Sequence, residues 1–98
     1  MATFMVSFRI EEILDSELRR AMLCAEIERI SKRHWKNNTS FYVIESEAST
    51  LEIAENLKAI INPEHDIVLV RSFETRTAFV AGMVDDDLFV LMPYCKKA

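Results

Sequence analysis

The chain is poor in the residues that interrupt regular structure. Its 98 residues include one glycine and two prolines. Disordered segments, long linkers and loop-rich all-β folds need more of both. This scarcity predicts a single domain over residues 1–98, long enough for one modest core. Half of the residues are hydrophobic, which is slightly more than one small core requires.

Long apolar runs are also missing. The first apolar stretch is short and is followed at once by Arg9, Glu11 and Glu12, so it does not have the form of a signal peptide. No run approaches the ~20 apolar residues of a membrane span. We therefore expect a cytoplasmic protein with no membrane partner.

Cysteines are few and are not spaced for metal binding. Cys24 and Cys95 are the only two, and no Cys-x-x-Cys pair is present. A structural zinc site would need such a pair, and a cytosolic chain keeps distant cysteines reduced. We expect two reduced, buried thiols, no metal site and no cofactor. The formal net charge of -4 gives the whole chain no general attraction to nucleic acid.

Two apolar stretches predict the centre of a sheet. Residues 67–70, inside a predicted strand over 66–72, are four consecutive apolar residues, as in a strand covered on both faces. Residues 3–9 alternate with a period of two, which predicts the neighbouring strand. Further strands are predicted at 34–36, 39–45, 77–83 and 88–92, with a tight turn at Asn37-Asn38 and a frayed tail at 96–98.

Two helices are predicted between these strands. The first begins at Asp15 or Ser16 and runs to about Arg33. Its apolar residues fall on two nearly opposite sides, so the helix is kinked or its second side meets something besides its own sheet. The second begins at a capping box, Ser49-x-x-Glu52, and ends at Asn62-Pro63.

The predicted order is that of a split βαβ arrangement. It indicates an α+β, ferredoxin-like βαββαβ sandwich, with two helices on one face of a mainly antiparallel sheet and extra C-terminal strands. The other face should then be polar. In the inner strands, however, the side chains that point to either face of the sheet are apolar. Such a patch usually marks an interface. We predict a homodimer, packed sheet against sheet or joined through the C-terminal strand, with these candidate contacts: Met5, Ser7, Arg9, Tyr42, Ile44, Val68 and Val70.

Four pieces of the chain together resemble a known family. They are the strand at 5–10, the hairpin at 39–45, the capped helix and the strand at 67–71. In order and spacing they resemble the SinR-like ferredoxin-like proteins over residues 3–82. Those proteins are similar to the second universal CRISPR-associated protein, a small endoribonuclease-like protein, and to VapD-type toxins. The resemblance implies a dimer with facing sheets.

The resemblance also identifies where chemistry would lie. In nuclease members, an aspartate near the end of the first strand helps to bind a divalent metal between the subunits, and the matching position here is Arg9. A cation cannot ligate Mg²⁺, which requires oxygen donors. This departure predicts a non-catalytic binding or scaffold module with no catalytic residue. Glu11 and Glu12 lie nearby and offer oxygens, so a metal-dependent endoribonuclease or toxin is the alternative.

Other polar groups suggest binding more than catalysis. A basic set at the end of the first helix is a candidate phosphate-binding patch for nucleic acid, although a solvated helix end explains the same cations: Arg29, Lys32, Arg33 and Lys36. The tract Asp85-Asp86-Asp87 is predicted to be a solvated turn. A further alternative, drawn from the fold alone, is a regulatory dimer that binds a small ligand at the subunit seam.

Overall fold

The computed structural model describes residues 1–36 and 40–98. The predicted turn at Asn37-Asn38 and the predicted strand start at Thr39 lie outside the described residues. Within them, the elements in chain order are β1 (Ala2–Arg9), α1 (Ser16–Ile30), β2 (Arg33–Lys36), β3 (Phe41–Ser46), α2 (Thr50–Lys58), β4 (Ile67–Ser72), β5 (Ala78–Gly82), α3 (Asp87–Leu91) and β6 (Cys95–Lys97).

The strands form one mixed sheet in the order β2-β3-β1-β4-β5-β6. All neighbours are antiparallel except β5 and β6, which run parallel. The fold is α+β and compatible with the ferredoxin-like prediction. The strand order is nevertheless not the canonical one, because β5 and β6 continue the sheet beyond β4. Among the described residues, no helix is long and apolar enough to cross a membrane.

Both long helices lie on one face of the sheet. The alternation predicted for β1 is confirmed, since Phe4, Val6 and Phe8 are buried while the residues between them face the other side. The buried side chains of α1 and α2 join those of β1 in a single core. This core also contains the inward residues of β3 and β4, so most of the burial that stabilises the chain lies between helices and sheet.

Helix α1 ends earlier than predicted. Ser31 is already extended, and the residues from Arg33 onward pair with β3 as an edge strand. At the other end Asp15 adopts a left-handed conformation, with φ of 60°, and its side chain makes no cap hydrogen bond. The helix therefore starts from a turn, not from a side-chain cap.

The two apolar sides of α1 have different environments. Leu23 and Ile27 are buried in the core, whereas Leu14, Leu18 and Met22 are exposed. The second apolar side predicted from the sequence therefore exists and has no cover within the described chain.

The capping box of α2 is confirmed. The Ser49 hydroxyl accepts the Glu52 amide at 3.1 Å, and the Ser49 amide donates to the Glu52 carboxylate at 2.9 Å. The helix then buries Ile53, Ala54 and Leu57 against the sheet. Local sequence and tertiary packing agree at this helix.

The C-terminal segment departs from the prediction. The apolar run 88–92 is not a strand, because most of it forms α3, where the Asp86 carbonyl accepts the amides of Phe89 and Val90. The tail is not frayed, since β6 pairs with β5 and the Ala98 amide donates to the Val80 carbonyl at 2.9 Å. The outer edge of β5 supplies hydrogen-bond partners that a solvated tail would lack.

Candidate interaction surface

The sheet face opposite α1 and α2 is the surface that the sequence left unexplained. We call it the open face. Residues paired across antiparallel strands share a face, so the register places Trp35, Val43 and Met5 together on it. The same rule places Arg71 and Ala78 on it beyond β1.

Half of the open face is covered by the chain itself. Ala78, Val80 and Cys95 are buried in a second, smaller cluster, and the residues packed around them come from β4 and from the segment that contains α3: Ile67, Leu69, Val84, Leu88, Phe89, Met92 and Tyr94. We call the open face of β4, β5 and β6 the covered half. Burial also raises the pKa of the Cys95 thiol, which favours its neutral form.

Tyr94 fixes the end of this segment. Its hydroxyl accepts a hydrogen bond from Arg71 Nε at 2.9 Å. The guanidinium groups of Arg71 and Arg76 lie 5.5 Å and 5.0 Å from the ring centroid. Each contact of this kind contributes about 0.5–1 kcal/mol at a partly exposed site. The covered half is therefore held by polar contacts as well as by apolar packing.

Among the described residues, nothing covers the open face of β2, β3 and β1 in this way, and we call it the bare half. Met5, Phe41 and Val43 are only half-buried there, and Trp35 is 54% exposed. The Trp35 and Phe41 rings meet edge to face, with centroids 6.5 Å apart. Beside them lies an open depression of about 390 Å³, lined by Thr3, Arg33, His34, Trp35, Val43, Ile44 and Glu45.

Arg9 stands at the end of β1 on the open face. It is opposite Ile67 in the register and is exposed. Within residues 1–36 and 40–98, its guanidinium makes no hydrogen bond or ion pair. A cation at the rim of an apolar surface is therefore available to a partner.

The seven predicted interface residues do not share one face. Met5, Ser7 and Arg9 lie on the open face, as an interface requires. The other four are buried on the helix side, each with at most 1% of its surface exposed, and belong to the core of a single subunit: Tyr42, Ile44, Val68 and Val70. The predicted interface therefore stays a prediction for the first three residues, whereas the last four are occupied within their own subunit.

Tyr42 has a structural explanation. Its hydroxyl donates to the Glu28 carboxylate at 2.7 Å, and its ring stacks on Phe8 at 6.4 Å. Burial, together with Cys24 and Glu28, raises the pKa of Tyr42, so the phenol stays protonated as a donor.

A buried ion pair that the sequence reasoning missed connects the first helix to β4. Asp66 is fully buried, and its carboxylate accepts Arg19 Nε at 2.9 Å. It also accepts the amides of Glu11 at 3.0 Å and Asn62 at 2.8 Å. Arg19 donates in turn to the carbonyls of Glu11 and Leu14. An acid placed just before a buried strand is the sequence signal that points to such a pair.

The hydrogen bonds around Asp66 decide its charge. Burial alone would favour the neutral acid, but the bonds from Asn62, Arg19 and Glu11 outweigh it, so the pKa of Asp66 is lowered. The carboxylate is saturated by these donors. The Asp66 carboxylate thereby connects the residues that follow β1 to α1 and to the start of β4. These contacts explain the buried charge without a ligand.

The residues near Arg9 do not fit the divalent metal that the resemblance implies. A guanidinium has no oxygen donor and repels a cation. Glu11 Oε2 lies 2.9 Å from His65 Nδ1, and Glu12 is exposed on the connection to α1. In the part of the chain that the structure describes, no three His, Cys, Asp or Glu residues are grouped to hold a metal ion.

The predicted basic patch is divided by the structure. Arg29 is bound to Glu26 through two hydrogen bonds of 2.8 Å and 2.6 Å. Lys32, Arg33 and Lys36 are exposed in or beside β2. Arg33 shares the open face with Glu45, whereas the Lys36 ammonium lies over the Tyr42 ring on the helix side, 5.3 Å from its centroid. Lys32, Arg33 and Lys36 therefore lie in or beside the edge strand β2, whereas Arg29 is paired with Glu26.

Neither a family model, nor a curated protein, nor a solved structure matches this chain. The SinR-like resemblance stays a prediction.

Three surface residues of the open face were also missed by the sequence reasoning. Val90 and Leu91 are 76% and 83% exposed on the outer side of α3, and Trp35 is the most exposed aromatic residue of the bare half. The signal for Trp35 was its place two residues after Arg33 in a short alternating strand. No sequence signal identified Val90 and Leu91, because their exposure depends on which side of α3 packs on the sheet.

Proposed function

We propose that the protein is a non-catalytic homodimeric binding module of the SinR-like, CRISPR-associated type. Its subunits pair through their open faces. The observation that carries the proposal is the bare half: the C-terminal segment covers three strands of this face, and no other described residue covers the remaining three. A monomer rarely exposes a contiguous apolar surface of this kind without using it.

The free energies of burial and association favour a second copy of the chain as the cover of the bare half. Burying several hundred Å² of apolar surface contributes on the order of 10 kcal/mol at ~25 cal/mol per Å². Association costs about 4–15 kcal/mol in lost freedom, and at the lower end of that range the few kcal/mol that remain are those of a reversible dimer. Arg9 adds charge specificity at the rim of this surface and takes the place of the metal-binding acid found in nuclease relatives.

Sedimentation over a wide dilution series tests the dimer. We expect the wild-type mass to fall from that of two chains to that of one on dilution. Trp35→Asp should weaken the dimer, since Trp35 lies on the bare half. Leu14→Asp is the matched control, because Leu14 is 86% exposed on the connection between β1 and α1. A wild-type mass of one chain at every concentration contradicts the proposal.

The alternative, a metal-dependent nuclease, is tested separately. RNA and duplex DNA are incubated with the protein, with and without Mg²⁺ or Mn²⁺. We expect no metal-dependent cleavage. Cleavage that survives Arg9→Ala but is lost in Glu11→Gln or Glu12→Gln would show that these carboxylates supply the missing oxygen donors.

Nucleic acid is the binding partner that the cations around β2 favour. Phosphate contacts would make RNA binding fall steeply as salt rises. We expect Lys32→Gln and Lys36→Gln to weaken RNA binding, since Lys36 lies on the helix side, away from the proposed dimer contact. Arg29→Gln is the matched control, because Arg29 is already bound by Glu26. Equal loss in all three variants would indicate a nonspecific charge effect.

A further inference from the structure

We infer that α3 of each subunit docks on the bare half of its partner, so that the dimer is closed by two reciprocal helix contacts. This inference rests on the proposed homodimer and specifies its geometry. It commits to a second copy of this chain as the occupant of the bare half.

The sheet divides into two halves of equal width. The covered half contains β4, β5 and β6, and the bare half contains β1, β3 and β2. A two-fold axis that runs parallel to the strands along the β1–β4 boundary brings the covered half of one subunit over the bare half of the other. Such an interface is self-complementary, with each α3 serving as the cover that the partner lacks.

The register fixes the level at which α3 meets the partner. Gly82, where the chain leaves β5, is on one row with Ile67 and Arg9. Cys95, where the chain enters β6, is on one row with Ala78, and that row continues across the sheet to Val43 and Trp35. Residues 83–94, which contain α3, connect the two rows, and the Met92 carbonyl at the end of α3 accepts the Cys95 amide at 2.9 Å. Rotation about an axis parallel to the strands preserves these levels, so the end of α3 reaches the row of Trp35 on the partner.

The apolar surfaces at this level are complementary. Val90 and Leu91, at the end of α3, project outward and are 76% and 83% exposed. On the row that they reach, the partner presents the depression of about 390 Å³ beside Trp35 and Val43. An exposed aliphatic pair opposite an apolar depression is the arrangement found at the centre of protein interfaces.

The charges are complementary at the other end of α3. Asp85, Asp86 and Asp87 are exposed at its start, three to five residues after Gly82 in the chain. On the row of Gly82 the partner's Arg9 is exposed, and within its own described subunit Arg9 makes no ion pair. Opposite charges at this level steer association and fix the register of the two copies. The cation that occupies the metal-binding position thereby acquires a binding role.

The size of the contact is that of a modest dimer. Three strands of six residues measure roughly 14 Å by 20 Å. Each subunit contributes this area together with the outer side of its own α3. The sum over two subunits is roughly 600–800 Å², below the ~1,200–2,000 Å² of a stable interface and of the size of a weak, reversible contact.

The first experiment compares Leu91→Asp with Leu14→Asp in sedimentation. Both residues are highly exposed, so neither change should affect folding, which circular dichroism verifies. We expect Leu91→Asp to raise the Kd of the dimer about thirtyfold or more and Leu14→Asp to leave it unchanged. A wild-type dimer that both variants preserve would overturn the inference while the proposed dimer stands. A monomeric wild type would overturn both.

The second experiment exchanges charges between subunits. Arg9→Glu and Asp86→Arg should each weaken the dimer, because each places like charges opposite one another. We expect the double variant to recover most of the wild-type affinity, since opposite charges face each other again with their positions exchanged. Additive losses in the double variant would show that these residues do not face each other.

Discussion

Gly82 and Asp66 meet at one point of the sheet, and the contact explains the only glycine of the chain. Gly82 has φ of 104°, and a Cβ at this position would lie 1.9 Å from the Asp66 carbonyl oxygen. That oxygen accepts the Met83 amide at 2.9 Å. The sequence shows the glycine, but its role depends on the pairing of β4 with β5, which no local pattern contains.

Replacing this glycine should therefore be costly. We expect Gly82→Ala to lower the free energy of unfolding by about 2–4 kcal/mol, through the strained φ and the clash with backbone. Denaturant unfolding measures the change. Met83→Ala is the control, because Met83 is adjacent and exposed. A loss in Gly82→Ala no larger than in Met83→Ala would contradict this explanation.

The ion pair of Asp66 and Arg19 predicts how stability depends on pH. The pKa of Asp66 is lowered in the folded state. Its contribution is therefore complete above the pKa of about 3.9 for the unfolded chain and is lost as pH falls through the folded pKa. We expect the free energy of unfolding to decline below about pH 4.

Asp66→Asn isolates this contribution. Near neutral pH we expect a loss of about 3 kcal/mol, because Arg19 keeps a buried charge without its partner. The decline in acid should also be shallower than in wild type. Part of it remains, since hydrogen bonds from Arg29 and Ser49 lower the pKa values of Glu26 and Glu52. Glu55→Gln, at an exposed carboxylate of α2, should change neither quantity.

At the scale of elements, local sequence patterns predicted the helices and strands correctly where the tertiary packing agrees with them. The alternation of β1 and the capping box of α2 each contain their own physical cause, so both were predictable. The prediction of a strand at 88–92 was wrong, because a run of five apolar residues fits the period of a helix as well as that of a strand. Its helix is set by packing on β4 and β5, and the tail is ordered by the edge of β5. Neither cause is local.

The capping box gives an element-scale prediction. Ser49→Ala removes the acceptor for the Glu52 amide, and we expect a loss of about 1 kcal/mol in the free energy of unfolding. Ser49→Gly should cost only a few tenths of a kcal/mol. Thermal or denaturant unfolding measures both variants. A larger loss for glycine than for alanine would show that the cap is not the source of the effect.

At the scale of the molecule, the surplus of apolar surface is distributed over several parts of the fold. The sequence predicted the surplus correctly but assigned it wholly to a partner. Part of it packs under α3 within one subunit, and part remains on the bare half. Another part is the outer side of α1, with Leu18 and Met22, and Leu14 just before it. The proposed dimer uses the bare half because the exposed side of α3 is an apolar surface that fits it.

Hydrogen exchange of α3 tests this distribution in the intact protein. The helix is five residues long, and its start has no side-chain cap hydrogen bond, so in a single subunit its amides should exchange early. In the proposed dimer α3 lies between two sheets. We therefore expect protection of Phe89, Val90 and Met92 to rise with protein concentration, while protection within α2 stays constant. Leu91→Asp should abolish the rise, and protection of α3 that is independent of concentration in wild type would mean that this helix is not part of the contact.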